Sequence, residues 1–319
     1  MSENNKTLSD FIQGELDKSC HSSAHALVDS IMRLHGETVA GILFYGSCLR
    51  QDPSDEPPEG ILDFYVVVDR LRRAYRSRWS AFMNCLLPPN VFFIERSWQG
   101  KTIRAKYAVI SRKQWRHGTS ANAFHPTLWA RFAQPTALLY ARDSEAAGEI
   151  ARGLEEAVKT MLGAILPLIA KPASPGELWQ AALLQTYQAE LRPEGTERAT
   201  SIYEADQKRY DAITPLALKT FAELPVEIAG DGRVETHFSA KERRRARRLW
   251  RRRRFWGKPL NVLRLMKSVF TFSGGVDYAL WKVERHTGVK VPVSNFERRH
   301  PILTSPKLLW RVYRLSAIR

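Results

Sequence analysis

Cysteine is scarce: Cys20, Cys48 and Cys85 are the three in 319 residues. They are scattered and form no CxxC pair, which excludes a disulfide framework and a zinc ribbon and suggests a reducing compartment. Long apolar runs are missing too. The longest, from Met161 to Ala170, is about half of the roughly 20 residues that span a bilayer. It lies between Lys159 and Lys171 and reads as a buried helix. No spanning segment is expected, which leaves attachment to a membrane face open. The opening stretch MSENNKTLSDF lacks the apolar core of a secretory signal. Neither a GxGxxG nor a P-loop pattern occurs. The histidines show no metal-ligand spacing; His21 and His25 are four apart, but HSSAH lacks the glutamate of a zincin motif. No Ser-His-Asp arrangement can be read. Acidic residues thin out toward the C-terminus. Residues 241–319 hold 6 Lys and 16 Arg against 4 acids, a net +18, while residues 1–240 sum to −2. A near-neutral body thus carries a cationic tail whose natural counterpart is an anion: nucleic acid, anionic lipid or an acidic surface.

What the chain does have is apolar material for a core, 44% hydrophobic residues and 10% aromatics. Helical spacing runs through residues 8–34. Val39 to Tyr45 reads as a strand ending in a Gly46-Ser47 turn, and Ile61 to Asp69 as a second strand after an acidic, proline-rich loop. Residues 71–86 have helical composition, and residues 91–95 and 104–111 read as two further strands joined around Gly100. Residues 145–168, 175–190 and 200–224 read as helices, the second opened by Ser174-Pro175 with Glu177. The expected fold class is α+β: a mixed sheet flanked by helices over 1–145, a helical domain over 146–235, and a basic amphipathic region over 236–319.

Two features carry chemistry. The first is Gly46-Ser47 with Asp63 on the next strand. A glycine lets backbone N–H groups approach a polyphosphate, serine adds a donor, and a carboxylate holds Mg²⁺ for phosphoryl or nucleotidyl transfer. Nucleotidyltransferases related to polymerase β place a Gly-Ser turn and a facing carboxylate in this way. Their usual second carboxylate, two residues on, is replaced here by Tyr65. Asp69 shares the strand face, but six extended residues put it about 20 Å away. Either the second acid comes from elsewhere in the chain, or the site is dead or different.

Within that superfamily the chain resembles the mitochondrial-type phosphatidate cytidylyltransferases. The resemblance rests on Tyr45-Gly46-Ser47, Leu62-Asp63-Phe64 with Val68-Asp69, the strand Lys106-Tyr107-Ala108-Val109-Ile110-Ser111, Leu128 to Pro135 around Arg131, and Thr186-Tyr187 followed by Glu190 and Arg192. These stretches fall in order over roughly residues 44–210. Ala108 stands where the family has glycine, and Cys48 follows the Gly-Ser pair. The resemblance implies a reaction of CTP with phosphatidate giving CDP-diacylglycerol and pyrophosphate, with Mg²⁺ as cofactor. It implies Glu190, approaching from the helical domain, as the second acidic ligand or the base, and Lys106, Arg192 and Lys208 as phosphate-binding cations. A peripheral protein on the cytoplasmic face of a bacterial inner membrane or on a mitochondrial inner membrane would follow.

The second feature is the tail. From Glu242 onward arginines interleave with Leu249, Trp250, Phe255 and Trp256, and an apolar stretch follows from Leu260 to Phe272. Arg247, Trp250, Arg251, Phe255 and Trp256 are the expected membrane-contacting residues, with apolar groups entering the headgroup boundary and cations meeting anionic lipid. Arginine with aromatics serves nucleic acid as well, by phosphate contact and stacking. Two alternatives therefore stay open beside the lipid enzyme: a nucleotidyltransferase acting on RNA or a small molecule, and a non-catalytic lipid- or nucleic-acid-binding protein on this fold.

Overall fold

The structure is a computed structural model, and it describes residues 6–51, 57–58, 60–190, 196–271 and 294. It is α+β: a five-stranded mixed sheet, helices on both of its faces, and a helical part. The sheet is built from β1 (Val39–Tyr45), β2 (Leu62–Val68), β3 (Asn90–Trp98), β4 (Lys101–Ser111) and β5 (Thr136–Ala141), in the order β3-β4-β2-β1-β5. β1 is antiparallel to both β2 and β5, β2 is parallel to β4, and β3 and β4 form a hairpin. Gln99 and Gly100, both at positive φ, turn that hairpin.

Both faces of the central strands are covered, so β1 is buried along its whole length. Side-chain alternation divides it. Ile42, Phe44, Phe64, Val66, Tyr107 and Val109 pack under α2 (Ser22–His35). Leu43, Tyr45, Tyr65, Val67, Ala108 and Ile110 face a continuous core with α1 (Leu8–Leu16), α5 (Arg112–Thr119), α6 (Thr127–Phe132), α7 (Ser144–Ile165), α8 (Pro175–Ala189), α9 (Thr196–Ala205) and α10 (Gln207–Leu218). The expected stretch over 8–34 is two helices, and that over 71–86 divides into α3 (Leu71–Ala74) and α4 (Arg78–Leu86) with Ser77 capping the latter. β5 and α5 had no expectation, whereas α6 falls on the Leu128–Pro135 stretch, whose counterpart in the resembled family is a helix end. The start of α8 matches: Ser174 and Glu177 form a capping box with Pro175 in the first turn. A small hairpin, β6 (Val226–Ile228) with β7 (Val234–Thr236), precedes the last helix.

That helix, α11 (Ala240–Thr271), joins the two tail stretches through Pro259. It packs against the body on one face. Trp250 is only 2% exposed, its ring edge-on to Trp129 and its Nε1 donating to Ala164 O at 3.0 Å. The membrane-contact expectation is therefore corrected for Trp250: it is a core residue, because its turn of α11 faces α6 and α7. Arg253 is buried one turn on, donating to Phe124 O at 2.9 Å. Gly257 then lets α11 close on the backbone of Ala189, where a Cβ has no room. Trp250 belongs to the same core as the sheet.

Candidate functional site

The alternation that packs the sheet also builds a cavity. Tyr45, Asp63 and Tyr65 project toward the helical layer, as do Lys106 and Ala108 on β4. Register pairs Tyr45 with Asp63 and Asp63 with Lys106. At this end of the sheet the chain turns at Gly46, whose φ of 91° suits glycine. A Cβ there would stand 3.3 Å from Asp63 Oδ2. The result is a cavity of about 430 Å³ lined by Gly46, Ser47, Asp63, Lys106, Arg131 and Glu190, with Arg50, Thr127, Gln134 and Arg198 at its walls.

Asp63 is partly exposed, and its Oδ1 is buried without a hydrogen bond. Lys106 Nζ stands 3.0 Å from that oxygen, close enough to pair charges but off the hydrogen-bond direction. Glu190 caps the C-terminal end of α8. An acid is disfavoured there, since the helix end already carries partial negative charge. Two arginines offset this: the charge of Glu190 is felt at Arg131 and Arg264, and also at His125, an imidazole that burial keeps neutral by lowering its pKa to about 4. Asp63 and Glu190 are thus the two carboxylates of the cavity that could hold a divalent cation. No group of three or more His, Cys, Asp or Glu gathers among the described residues.

Arg131 is the residue that sequence reasoning left without a role, although it lies within the quoted Leu128–Pro135 stretch. Its Nη1 donates to Tyr45 OH at 2.8 Å, and its guanidinium lies 5.0 Å from the Tyr45 ring centre and 5.8 Å from that of Tyr65. Tyr65, standing where a second carboxylate was expected, thus forms part of an aromatic shelf for a cation. Burial opposes the charge of Arg131, but Tyr45, Tyr65, Glu190 and Asp63 outweigh it and hold its pKa above the ordinary arginine value. Its Nε is buried with no partner.

The other expected residues fall in different places. Lys208 is exposed on α10 and does not line the cavity. Its neighbours turn inward: Asp206 accepts from Arg50 Nε at 2.5 Å, and Arg209 Nε pairs with Glu15 at 2.8 Å. Arg192 lies outside the described residues. Asp69 follows the far end of β2, where Arg112 and Arg142 hold it, as the length of an extended strand requires.

On α11, Arg247, Arg251, Phe255 and Trp256 are exposed. Beyond Arg253 the helix is inverted. Its inward face carries Arg253, Arg264 and Lys267, while Phe255, Val262 and Met266 stand outward at seven- and four-residue spacings, flanked by Trp256 and Leu263. Phe255 is 69% exposed. Burial of the three cations costs enough to lower the pKa of Arg253 to about 10 and that of Lys267 to about 8. No helix among the described residues is long and apolar enough to cross a membrane.

Compared with known proteins, the chain matches no protein-family model and no curated sequence.

Proposed function

We propose that the chain is a nucleotidyltransferase that converts CTP and phosphatidate to CDP-diacylglycerol and pyrophosphate at an anionic membrane surface. The observation that carries the reading is the cavity: a Gly-Ser turn, two carboxylates from distant segments, and the cations Lys106 and Arg131 around one small polar space. Two carboxylates, one with a buried oxygen lacking a hydrogen bond, fit Mg²⁺, which completes its shell with water and phosphate oxygens. Held by Asp63 and Glu190, the ion would offset negative charge on the triphosphate.

The chain's own groups do the rest. Gly46 keeps the turn low enough for a phosphate to approach the backbone, and Ser47 offers a hydroxyl. Lys106, released from Asp63, and Arg131, fixed by Tyr45, meet phosphate oxygens. A phosphatidate oxygen attacks the α-phosphorus of CTP, the bond to the β-phosphate oxygen breaks, and pyrophosphate leaves with the electron pair. The attacking phosphate is already ionised near neutral pH, so positioning and charge stabilisation are the main contributions. The inverted outer face of α11 supports a lipid substrate: apolar groups face out beside arginines, as a bilayer surface accepts them.

The test is pyrophosphate release from purified protein with Mg²⁺, a panel of labelled nucleotides, and phosphatidate, RNA or sugar phosphates as acceptors. Turnover that requires phosphatidate supports the proposal. Turnover on RNA alone, or on none, replaces it with the corresponding alternative.

A further inference from the structure

A second apolar face meets solvent away from the cavity and off α11. α4 exposes Trp79, Phe82 and Leu86. Their spacing of three and four residues stacks them on one side of the helix. Trp79 is 58% and Leu86 60% exposed, and the Trp79 and Phe82 rings lie 5.9 Å apart. The chain entering α4, from Arg70 to Arg78, holds five arginines and no acid. Arg70, Arg72, Arg73, Arg76 and Arg78 are all exposed, and among the described residues none of them pairs with a carboxylate. Arg72 and Arg78 line a shallow depression with Trp79, Ala81 and Phe82.

The end of α11 comes to the same place. Lys267 Nζ donates to Pro89 O at 2.6 Å and to Leu87 O, immediately beyond α4. The exposed Leu263 and Met266 are its neighbours on the helix. An apolar face with an arginine rim on α4 thus adjoins the outward apolar face of α11.

We propose that the Trp79–Phe82–Leu86 face of α4, with its arginine rim, docks on an anionic lipid bilayer. Charge decides among the occupants. A second copy packed by a two-fold axis would set the arginine rim against itself. Residues 272–319 hold 9 Lys and Arg against 3 acids and would likewise bring positive charge to a positive rim. RNA satisfies the arginines but leaves Phe82 and Leu86 in water. An anionic bilayer meets both parts, its phosphates taking the arginines and its headgroup boundary the rings and the leucine. The inference shares the membrane as partner with the proposed function but requires no particular chemistry in the cavity.

Cys85 is a native reporter. It is exposed and one turn after Phe82, whereas Cys20 is half-buried and Cys48 buried. A fluorophore on Cys85 of the full chain, in a Cys20→Ser background, is followed with vesicles whose acyl chains carry a nitroxide quencher. Quenching is expected with an equal mixture of phosphatidylcholine and phosphatidylglycerol and not with phosphatidylcholine alone. The double variant Trp79→Ser, Phe82→Ser should bind the mixed vesicles about tenfold more weakly or worse, with an unchanged melting temperature. Should that variant melt lower, Arg73→Glu with Arg76→Glu gives the same readout without touching the apolar face. Wild-type protein that binds mixed vesicles while Cys85 stays unquenched would overturn the α4 face and leave α11. Slow alkylation of Cys85 in the free protein would show that the chain or a second copy covers the face, and shielding by RNA instead of vesicles would assign it to nucleic acid; either outcome overturns the proposal. Failure of wild-type protein to bind mixed vesicles overturns it together with the membrane part of the proposed function, while turnover on detergent-dispersed phosphatidate reports on the cavity separately.

Discussion

Lys106 Nζ stands 3.0 Å from Asp63 Oδ1 across the parallel pairing of β2 and β4. If Asp63 holds Mg²⁺ as proposed, the ion would compete with this lysine for the carboxylate. Asp63→Asn keeps the shape and removes the charge. Turnover should fall by about two orders of magnitude or more, with Mg²⁺-dependent nucleotide binding, followed by calorimetry, lost in parallel. Wild-type turnover with an unchanged metal requirement would remove Asp63 from the chemistry.

Arg131 is expected to bind phosphate through the planar fork of its guanidinium. Arg131→Lys retains the charge but not the fork or the ring contacts. Turnover should drop about 100-fold with the fold intact by circular dichroism. Equal turnover of the lysine variant would restrict Arg131 to bracing Tyr45 and Tyr65.

Trp250 tests whether α11 belongs to the body. Trp250→Ala leaves a cavity against Trp129 and Ala164 and should cost about 3–5 kcal/mol in urea unfolding. Phe255→Ala, on the exposed side of the same helix, should change stability by about 0.5 kcal/mol or less. Near-equal effects would mean that α11 does not pack as described.

Asp69 has a structural role with a definite pH signature. A hydrogen bond from Arg142, then the charges of Arg142 and Arg112, hold its carboxyl below the ordinary aspartate value against modest burial. The unfolded state therefore binds the proton first. The stability Asp69 contributes is fully present above the ordinary aspartate pKa and is lost as pH falls through the lowered one. Asp69→Asn should cost about 1 kcal/mol at neutral pH, since the cluster is partly exposed, and should flatten the acid limb of the urea midpoint from the ordinary aspartate value of 3.8 downward, as pH falls through the lowered one. It should leave nucleotide binding unchanged, because Asp69 stands at the other end of β2. An unaltered acid limb would refute this role.

Much of the architecture was legible where local pattern and tertiary packing agree. The runs at Val39–Tyr45 and Leu62–Val68 had to be strands, being too short for helices and rich in β-branched and aromatic residues. Ser174-Pro175 with Glu177 announced a helix start whatever lay around it. The period of two placed Asp63 on one face of its strand and, by the length of an extended chain, excluded Asp69 as its partner. The asymmetry of charge was equally plain: the arginines of residues 241–254 had to meet solvent or anions for the most part.

What the sequence could not decide depends on which faces meet. Glu190 reaches the same cavity as Asp63 only because α8 packs across the sheet, and nothing local to either residue specifies that meeting. Lys208 and Arg209 are adjacent cations with equal local claims. The packing of α10 on α1 turns Arg209 inward to Glu15 and leaves Lys208 in water. Trp250 and Phe255 looked alike in an arginine-rich run, yet one fills the core and the other projects from it. The reason is geometric: a helix with arginine on every side has no apolar stripe to fix its rotation, so the shape of the surface beneath it chose Trp250, Gly257 and Lys267 as the inward face.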